Sequence, residues 1–311
     1  MSNPTLVHGK RQSLGKTIWK HRASYLLMAP YFILFFFFTV LPVLMAIGVS
    51  FTDWNMLEKP EFVGWQNYVK LLLDDEIFII SLKNTLIFAV ITGPVSYMLC
   101  LLFAWIINEF NRGMRTLLTL IFYAPSICGN AYMVWNLILT GDRYGYLNGI
   151  LLNLDIINEP ILWMKTEQYV MPMLIIVQLW LSLGTGFLSF IAGLQTVDKS
   201  MYEAAAIDGC GPVKILYKII CPMLSPSLVA CALFQFMWSC NDFMGPLLYV
   251  TTPRKYPMAI FVKLSMDSTS EGIQWNRILA LSLISIIPQL LVFFAAQDSF
   301  IDGIAAGSVK G

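Results

Sequence analysis

The sequence predicts an all-α polytopic membrane protein with six transmembrane helices, and two observations carry this prediction. The 311 residues are 57% hydrophobic and only 13% charged, whereas soluble domains run near 25% charged. Hydrocarbon cannot solvate charge, so a membrane solvent accounts for the deficit. The apolar residues also form six segments of roughly 20 or more residues each, which suffices to cross a hydrocarbon core about 30 Å thick.

Polar stretches separate the six segments. The predicted spans are 23–51, 84–107, 116–139, 170–194, 225–250 and 278–300. The first is too long for a signal peptide and lacks a clear small-residue cleavage site, so we expect it to be retained. We divide the chain into an N-terminal tail (1–24), a first helix with its outer loop (25–83), a core of five helices (84–300) and a C-terminal tail (301–311).

The orientation follows from the N-terminal tail, which carries Lys10, Arg11, Lys16, Lys20 and Arg22 and no acid. Lysine and arginine concentrate on the cytoplasmic side of membrane proteins. Six spans put both termini on one side, so both tails should be cytoplasmic. The loop at 195–224, between the fourth and fifth spans, should then face the cytoplasm, where ATP is.

That loop has strong local structure signals, and we call residues 195–224 the knob. The spacing Ser-x-x-Glu at 200–203 is a capping box, which predicts a short helix from near Met201. Asp208-Gly209 should end it, because glycine takes the left-handed C-terminal conformation at no steric cost. Gly211-Pro212 should begin a second helix, with Pro222 marking its end or a kink. The sequence therefore predicts a helix–turn–helix projecting from the membrane.

The knob also carries a motif that resembles the signature of the membrane subunits of binding-protein-dependent ABC importers. That signature reads Glu-Ala-Ala, three residues, Gly, nine residues, Ile-x-Leu-Pro. Here Glu203-Ala204-Ala205 is followed at this spacing by Gly209, Ile219 and Pro222, and Cys221 stands where the family prefers leucine. Further segments resemble the carbohydrate-type permeases, so that the resemblance covers nearly the whole chain: 61–68, 195–198, 238–243 and 307–311.

The resemblance implies a type I ABC importer permease fold in a bacterial cell membrane. It implies that the chain forms, with a second permease, the translocation path for a sugar or oligosaccharide. The implied partners are a cytoplasmic ABC ATPase dimer, an extracellular solute-binding protein and that second permease, which we favour as a different chain while a homodimer stays open. The knob would dock into a cleft of the ATPase, through Tyr202, Glu203, Ala204, Ala205, Asp208, Gly209 and Pro222.

Polar side chains recur at helical spacing on three of the predicted spans, which places each set on one helix face. Such faces line a wet pathway or, alternatively, join helices to one another within lipid. Asp242 is the strongest single case, because an intramembrane carboxylate is costly unless it lines water or has a partner. The candidate pathway residues are Gln178, Ser182, Thr185, Gln235, Trp238, Asn241, Asp242 and Gln289.

No catalytic constellation stands out in the sequence. The chain has no GxxxxGK[ST] motif, so we expect no enzyme activity and no cofactor, with ATP bound by the partner ATPase. The six cysteines form no CxxC pair and predict packing rather than a metal site, and a net charge of +1 argues against nucleic acid. Three alternatives stay open: a stand-alone secondary transporter or channel, a purely structural membrane subunit, and a permease for another solute such as glycerol phosphate.

Overall fold

The computed structural model describes residues 22–54, 59–128, 131–195, 199–267 and 273–308. The α-helices in these ranges are α1 (Arg22–Phe35), α2 (Leu41–Ser50), α3 (Gln66–Val69), α4 (Glu76–Asn108), α5 (Arg112–Ile127), α6 (Ala131–Ile138), α7 (Tyr146–Asn153), α8 (Glu167–Gln195), α9 (Lys199–Ile207), α10 (Pro212–Ile215), α11 (Cys221–Cys240), α12 (Met244–Tyr249), α13 (Met258–Asp267) and α14 (Trp275–Ser308). The shorter elements are π turns at Phe36–Val40, Lys70–Asp74 and Leu216–Ile220, a 3-10 turn at Pro253–Lys255, and the antiparallel strands β1 (Thr52–Asp53) and β2 (Glu61–Phe62).

Helix α4 is the centre of the bundle and packs against both α8 and α11. Its contact with α11 is close, since a Cβ added at Gly93 would lie 3.3 Å from the Cα of Phe236. One residue earlier, the Thr92 hydroxyl donates to the Ser239 hydroxyl at 2.9 Å. In lipid the hydrophobic effect does not favour helix association, so small residues and interhelical hydroxyl hydrogen bonds of this kind hold the helices together. α5 packs on α8, and α14 packs on α11 and α2.

The outward surface of the bundle is apolar. The first helix has no buried residue, and Leu27 and Phe38 are 82% and 78% exposed. A water-soluble domain rarely exposes so large a contiguous apolar surface. Lipid is the solvent that suits it, in agreement with the composition.

Helix length and composition support several membrane spans among the described residues. Three helices are each long and apolar enough to cross a membrane: Arg22–Ser50, Glu76–Asn108 and Trp275–Asp298. Two helix pairs, each bent by more than 40°, add up to two more: Glu167–Gly184 with Gly186–Gln195, and Pro212–Ser225 with Leu228–Cys240. The predicted third span is divided between α5 and α6, with residues 129–130 outside the described ranges. Six spans therefore stay a prediction, with which these helices are compatible.

The fifth predicted span differs most from the structure. We expected one helix over 225–250, but α11 ends at Cys240 and the short α12 begins only at Met244. The sequence between them, Asn-Asp-Phe, favours a turn because Asn and Asp side chains compete with the helix backbone for hydrogen bonds. Asp242 therefore lies in a helix break and not on the face of a continuous helix.

The loop between α6 and α8 is compact because one buried amide ties it together. The Asn148 side chain donates to the carbonyl oxygens of Thr140, Asp142 and Ile161 at 3.0–3.3 Å. Its oxygen accepts from the Trp163 indole nitrogen at 2.9 Å. The loop is therefore an ordered cap on this end of the bundle.

Candidate functional site

The turn of the knob forms as the sequence predicts. Gly209 has a φ of +73°, and the amide of Cys210 donates to the carbonyl of Ala205 at 2.9 Å. This six-to-one bond is the mark of a Schellman turn, which closes a helix at a left-handed residue. α9 begins at Lys199, two residues before the predicted start, so Ser200 lies within its first turn.

We expected Pro222 to mark either the end of the second helix of the knob or a kink, and the helix does not end there. α10 runs through the π turn Leu216–Ile220 directly into α11, and Pro222 lies in the first turn of α11. A proline is tolerated there because the preceding π turn has already changed the hydrogen-bond register. The knob and the following membrane helix are thus one continuous piece of helical backbone.

The two alanines of the motif face in opposite directions. Ala205 is 5% exposed and packs in a cluster with Ile107 of α4, Leu194 of α8 and Ile215 of α10. Ala204 is exposed. The close approach at Ala205 is therefore to helices of the same chain, and of the two alanines Ala204 is the one that lies at the surface. Tyr202 and Glu203 lie in α9, but their side chains are outside the described residues.

Three large apolar side chains are exposed on the knob, beside the exposed charges of Asp208, Lys214 and Lys218. Ile207 is 86% exposed, Tyr217 is 75% exposed and Val213 is 69% exposed. Leu216, which the sequence suggested as an exposed contact, instead packs against the buried cluster of the knob. Tyr217 was missed because the π turn rotates the helix face, and no local signal in the sequence announces that turn.

Four of the candidate pathway residues meet in one cavity of about 520 Å³, which we call the central cavity. Gln178 and Ser182 of α8 face Gln235 and Trp238 of α11 across it. The Gln235 side-chain nitrogen donates to the Ser182 hydroxyl at 3.0 Å, and that hydroxyl donates to the carbonyl of Gln178 at 2.7 Å. The backbone of Thr185 lies on α8 one turn further along, and its side chain is outside the described residues.

Two tyrosines complete the central cavity and were not among the predicted residues. Tyr97 comes from α4 and Tyr132 from α6. The sequence feature that could have identified them is a tyrosine inside an apolar segment, because an unpaired hydroxyl in lipid is costly. Tyr97 stands four residues after Gly93, so the two lie on the same helix face.

Asn241 and Gln289 line a different pocket, of about 270 Å³, between α4, α11 and α14. The Asn241 side-chain nitrogen donates to the Gln289 oxygen at 3.1 Å, which joins the end of α11 to α14. Ser282 and Ser285 also line this side pocket, although each hydroxyl donates to a carbonyl one turn earlier. The polar residues of the three helices are thus divided between two separate pockets.

Asp242 lines neither pocket. One carboxylate oxygen accepts from the backbone amide of Gly245 at 3.4 Å, which ties it to the first turn of α12. The other is buried and has no hydrogen-bond partner among the described residues. Its position beside Tyr132 places it behind one wall of the central cavity.

Comparison with known proteins identifies the family. Residues 12–299 match the family described as binding-protein-dependent transport system inner membrane component. The chain belongs to this family. It is therefore a transport permease of the inner membrane.

The permease has curated relatives in several bacteria and in an archaeon. It is 32% identical to the probable ABC transporter permease protein YesP of Bacillus subtilis over 207 residues, which are 66% of this chain and 65% of YesP. It is 27% identical over 280 residues to the trehalose/maltose transport system permease protein MalG of Thermococcus litoralis, covering 87% of this chain and 91% of MalG. It is 28% identical to the sulfoquinovosyl glycerol permease protein SmoG of Agrobacterium fabrum, covering 72% of each chain.

The fold of the permease matches a solved importer. A bacterial ABC transporter involved in the import of the acidic polysaccharide alginate aligns with a TM-score of 0.74 at 19% identity. The alignment covers 92% of this chain and 98% of the other. The all-α type I ABC importer fold implied by the sequence is thereby confirmed.

The opposite burial of the two motif alanines gives a testable pair. Ala205→Trp should destabilise the purified permease by about 1–3 kcal/mol, because the added ring overpacks the cluster beneath the knob. Ala204→Trp places the same ring at the exposed position and should leave the unfolding temperature near wild type. Thermal unfolding in detergent measures both. Equal losses from the two substitutions would contradict the burial described for this helix.

Proposed function

We propose that the permease forms, with a second permease, the translocation path of an ATP-driven importer for a sugar or oligosaccharide. An extracellular binding protein delivers the cargo, and a cytoplasmic ATPase dimer drives the conformational change. Membership of the family supports the importer role. The central cavity supports the cargo class and is the observation that carries the proposal.

The lining of the central cavity suits a neutral polyhydroxylated solute. Amide and hydroxyl groups on Gln178, Ser182 and Gln235 donate and accept hydrogen bonds, as sugar hydroxyls require. Trp238 is 73% exposed and, with Tyr97, presents an aromatic face on which a sugar ring can stack. Pockets that combine apolar walls with a few placed polar groups are typical of small-solute sites.

A glycerol phosphate is the second candidate cargo. The permease is 32% identical over 232 residues to the sn-glycerol-3-phosphate permease protein UgpA of Agrobacterium fabrum, covering 73% of this chain and 76% of UgpA. Against this cargo, no arginine or lysine is among the described residues that line the central cavity. A phosphate dianion would lack the charged donors that usually hold it. Uptake of radiolabelled maltose, trehalose and glycerol 3-phosphate into proteoliposomes, with and without the ATPase, decides between the two.

Cavity substitutions should change transport without loss of assembly. Gln235→Ala and Ser182→Ala should raise the cargo concentration at half-maximal transport roughly two- to tenfold, since each lost hydrogen bond contributes about 0.5–1.5 kcal/mol. Gln289→Ala is the matched control, because it removes an amide bond in the side pocket and should lower stability alone. Normal transport by both cavity variants would mean that these residues only join helices and that the path lies elsewhere.

The knob is proposed as the coupling element to the ATPase. Its exposed Ile207, Val213 and Tyr217 are apolar side chains on a short helical unit, which suit a groove in another protein. Its buried side, through Ala205, contacts helices that also line the central cavity. A nucleotide-driven movement of the ATPase would therefore reach the cavity through packed helices, which is what coupling between two sites requires.

Gly209→Val tests this coupling. Valine at a φ of +73° is strained by roughly 1–2 kcal/mol or more, so the second helix of the knob should be misplaced. Gly211→Val is the matched control, because Gly211 has a φ of −68° and open space around its Cβ position. We expect Gly209→Val alone to lose ATPase co-purification or cargo-stimulated ATP hydrolysis. The coupling role fails should Gly209→Val match the wild type in both measurements.

The orientation is also a proposal, with the N-terminus and knob in the cytoplasm. A cysteine at Tyr144, which is 94% exposed, should react with an impermeant maleimide added outside intact cells. A cysteine at Val213 should react only after the cells are opened. The exposed native Cys128 is first replaced by serine to remove its background. The reverse pattern would invert the topology.

A further inference from the structure

A groove beside the knob combines arginine side chains with an apolar wall. It lies between the start of α5 and the last turns of α8, with a volume of about 390 Å³, and we call it the arginine groove. Its lining is Arg112, Arg115, Thr116, Thr119, Leu120, Tyr123, Ile191 and Gln195. None of these residues lines the central cavity or the side pocket.

No carboxylate among the described residues balances the positive charge of the arginine groove. Arg112 is the first residue of α5 and Arg115 follows in its first turn, where no acid is present. The unpaired amides of a first helical turn already carry partial positive charge, so cations there are unfavourable. Neither arginine pairs with a carboxylate in the part of the chain that the structure describes. Arg115 donates to the neutral amide oxygen of Asn108 at 3.3 Å.

The groove changes from charged to apolar along α5. Thr116, Thr119 and Tyr123 stand four, seven and eleven residues after Arg112, which places them on the same helix face. Leu120 and Ile191 form the apolar part of the wall. Leu120 is 61% exposed, and neighbouring Leu117 and Ile121 are 52% and 56% exposed. The groove therefore opens onto the apolar outer surface, which faces acyl chains in a membrane.

This order of groups matches an amphiphile with an anionic head. α5 starts after the short loop 109–111 that follows α4, so the arginines lie at the end of the helix bundle. α8 ends at Gln195, which also lines the groove, so this is the end that carries the knob. Basic pockets between helices at this level recognise lipid headgroups. A free phosphate would use the arginines but not the apolar wall.

We propose that the arginine groove binds the phosphate of an anionic phospholipid, with the acyl chains lying along Leu120 and its exposed neighbours. Arg112 and Arg115 hold the phosphate oxygens, and the hydroxyls of Thr119 and Tyr123 donate to the headgroup. The bound lipid supplies the negative charge that the first turn of α5 lacks. The site is independent of the cargo, so it stands or falls separately from the sugar proposal.

The test measures lipid retention by the whole importer complex, purified through this chain. The complex is placed in nanodiscs of mixed phosphatidylglycerol and phosphatidylcholine, then released and examined by native mass spectrometry. The wild type should retain phosphatidylglycerol in preference to phosphatidylcholine, also in the presence of millimolar inorganic phosphate. R112Q/R115Q should reduce that retention about 30-fold, since each of the two arginines at a membrane surface contributes about 1 kcal/mol.

Two control variants separate this site from general charge effects. R143Q/R254Q removes two exposed arginines from loops at the other end of the bundle and should retain the lipid as wild type does. R112K/R115K keeps both charges and should recover most of the retention. Equal retention of the two lipids, or displacement of phosphatidylglycerol by phosphate, overturns the proposal. The proposal also fails if R112Q/R115Q retains the lipid but no longer co-purifies with the ATPase, because the arginines would then contact another subunit.

Discussion

The close contact between α4 and α11 is the constraint on which the rest of the structure depends. At Gly93 the two backbones approach so closely that an added Cβ would lie 3.3 Å from the Cα of Phe236, tighter than an ordinary van der Waals contact. The bond between Thr92 and Ser239 fixes the register beside it. In lipid, apolar burial between helices gives little net gain, so close packing and satisfied hydroxyls must hold the helices.

The same contact shapes the central cavity. Tyr97 lies one turn beyond Gly93 on α4, and Gln235 directly precedes Phe236 on α11. The larger polar and aromatic side chains beside this contact line the cavity. α8 closes it with Gln178 and Ser182, and the Gln235–Ser182 hydrogen bond ties α8 to α11. The cavity is thus a consequence of where the helices can and cannot approach.

The knob is attached to this arrangement at two places. Ala205 packs beneath it against α4 and α8, and its second helix continues through the π turn into α11. α4, α8 and α11 all line the central cavity, so the knob is packed against three of its walls. A Schellman turn at Gly209 sets the angle between the two parts of the knob.

Local sequence determined those features whose cause is local. Hydrophobic length predicted the three helices that are long and apolar enough to cross a membrane alone. The Asp208-Gly209 turn followed from the one residue type that takes a positive φ freely. Tertiary structure decided the rest. That Ala205 faces inward while Ala204 faces outward depends on the angle at which α9 lies on α4 and α8, which its own residues do not encode. The polar faces of three helices were visible in the sequence, but their division between two pockets depends on where α4 and α11 touch. Asp242 does not lie on its predicted helix face, because the helix ends at Cys240. Its carboxylate instead accepts a hydrogen bond from a backbone amide in the first turn of α12.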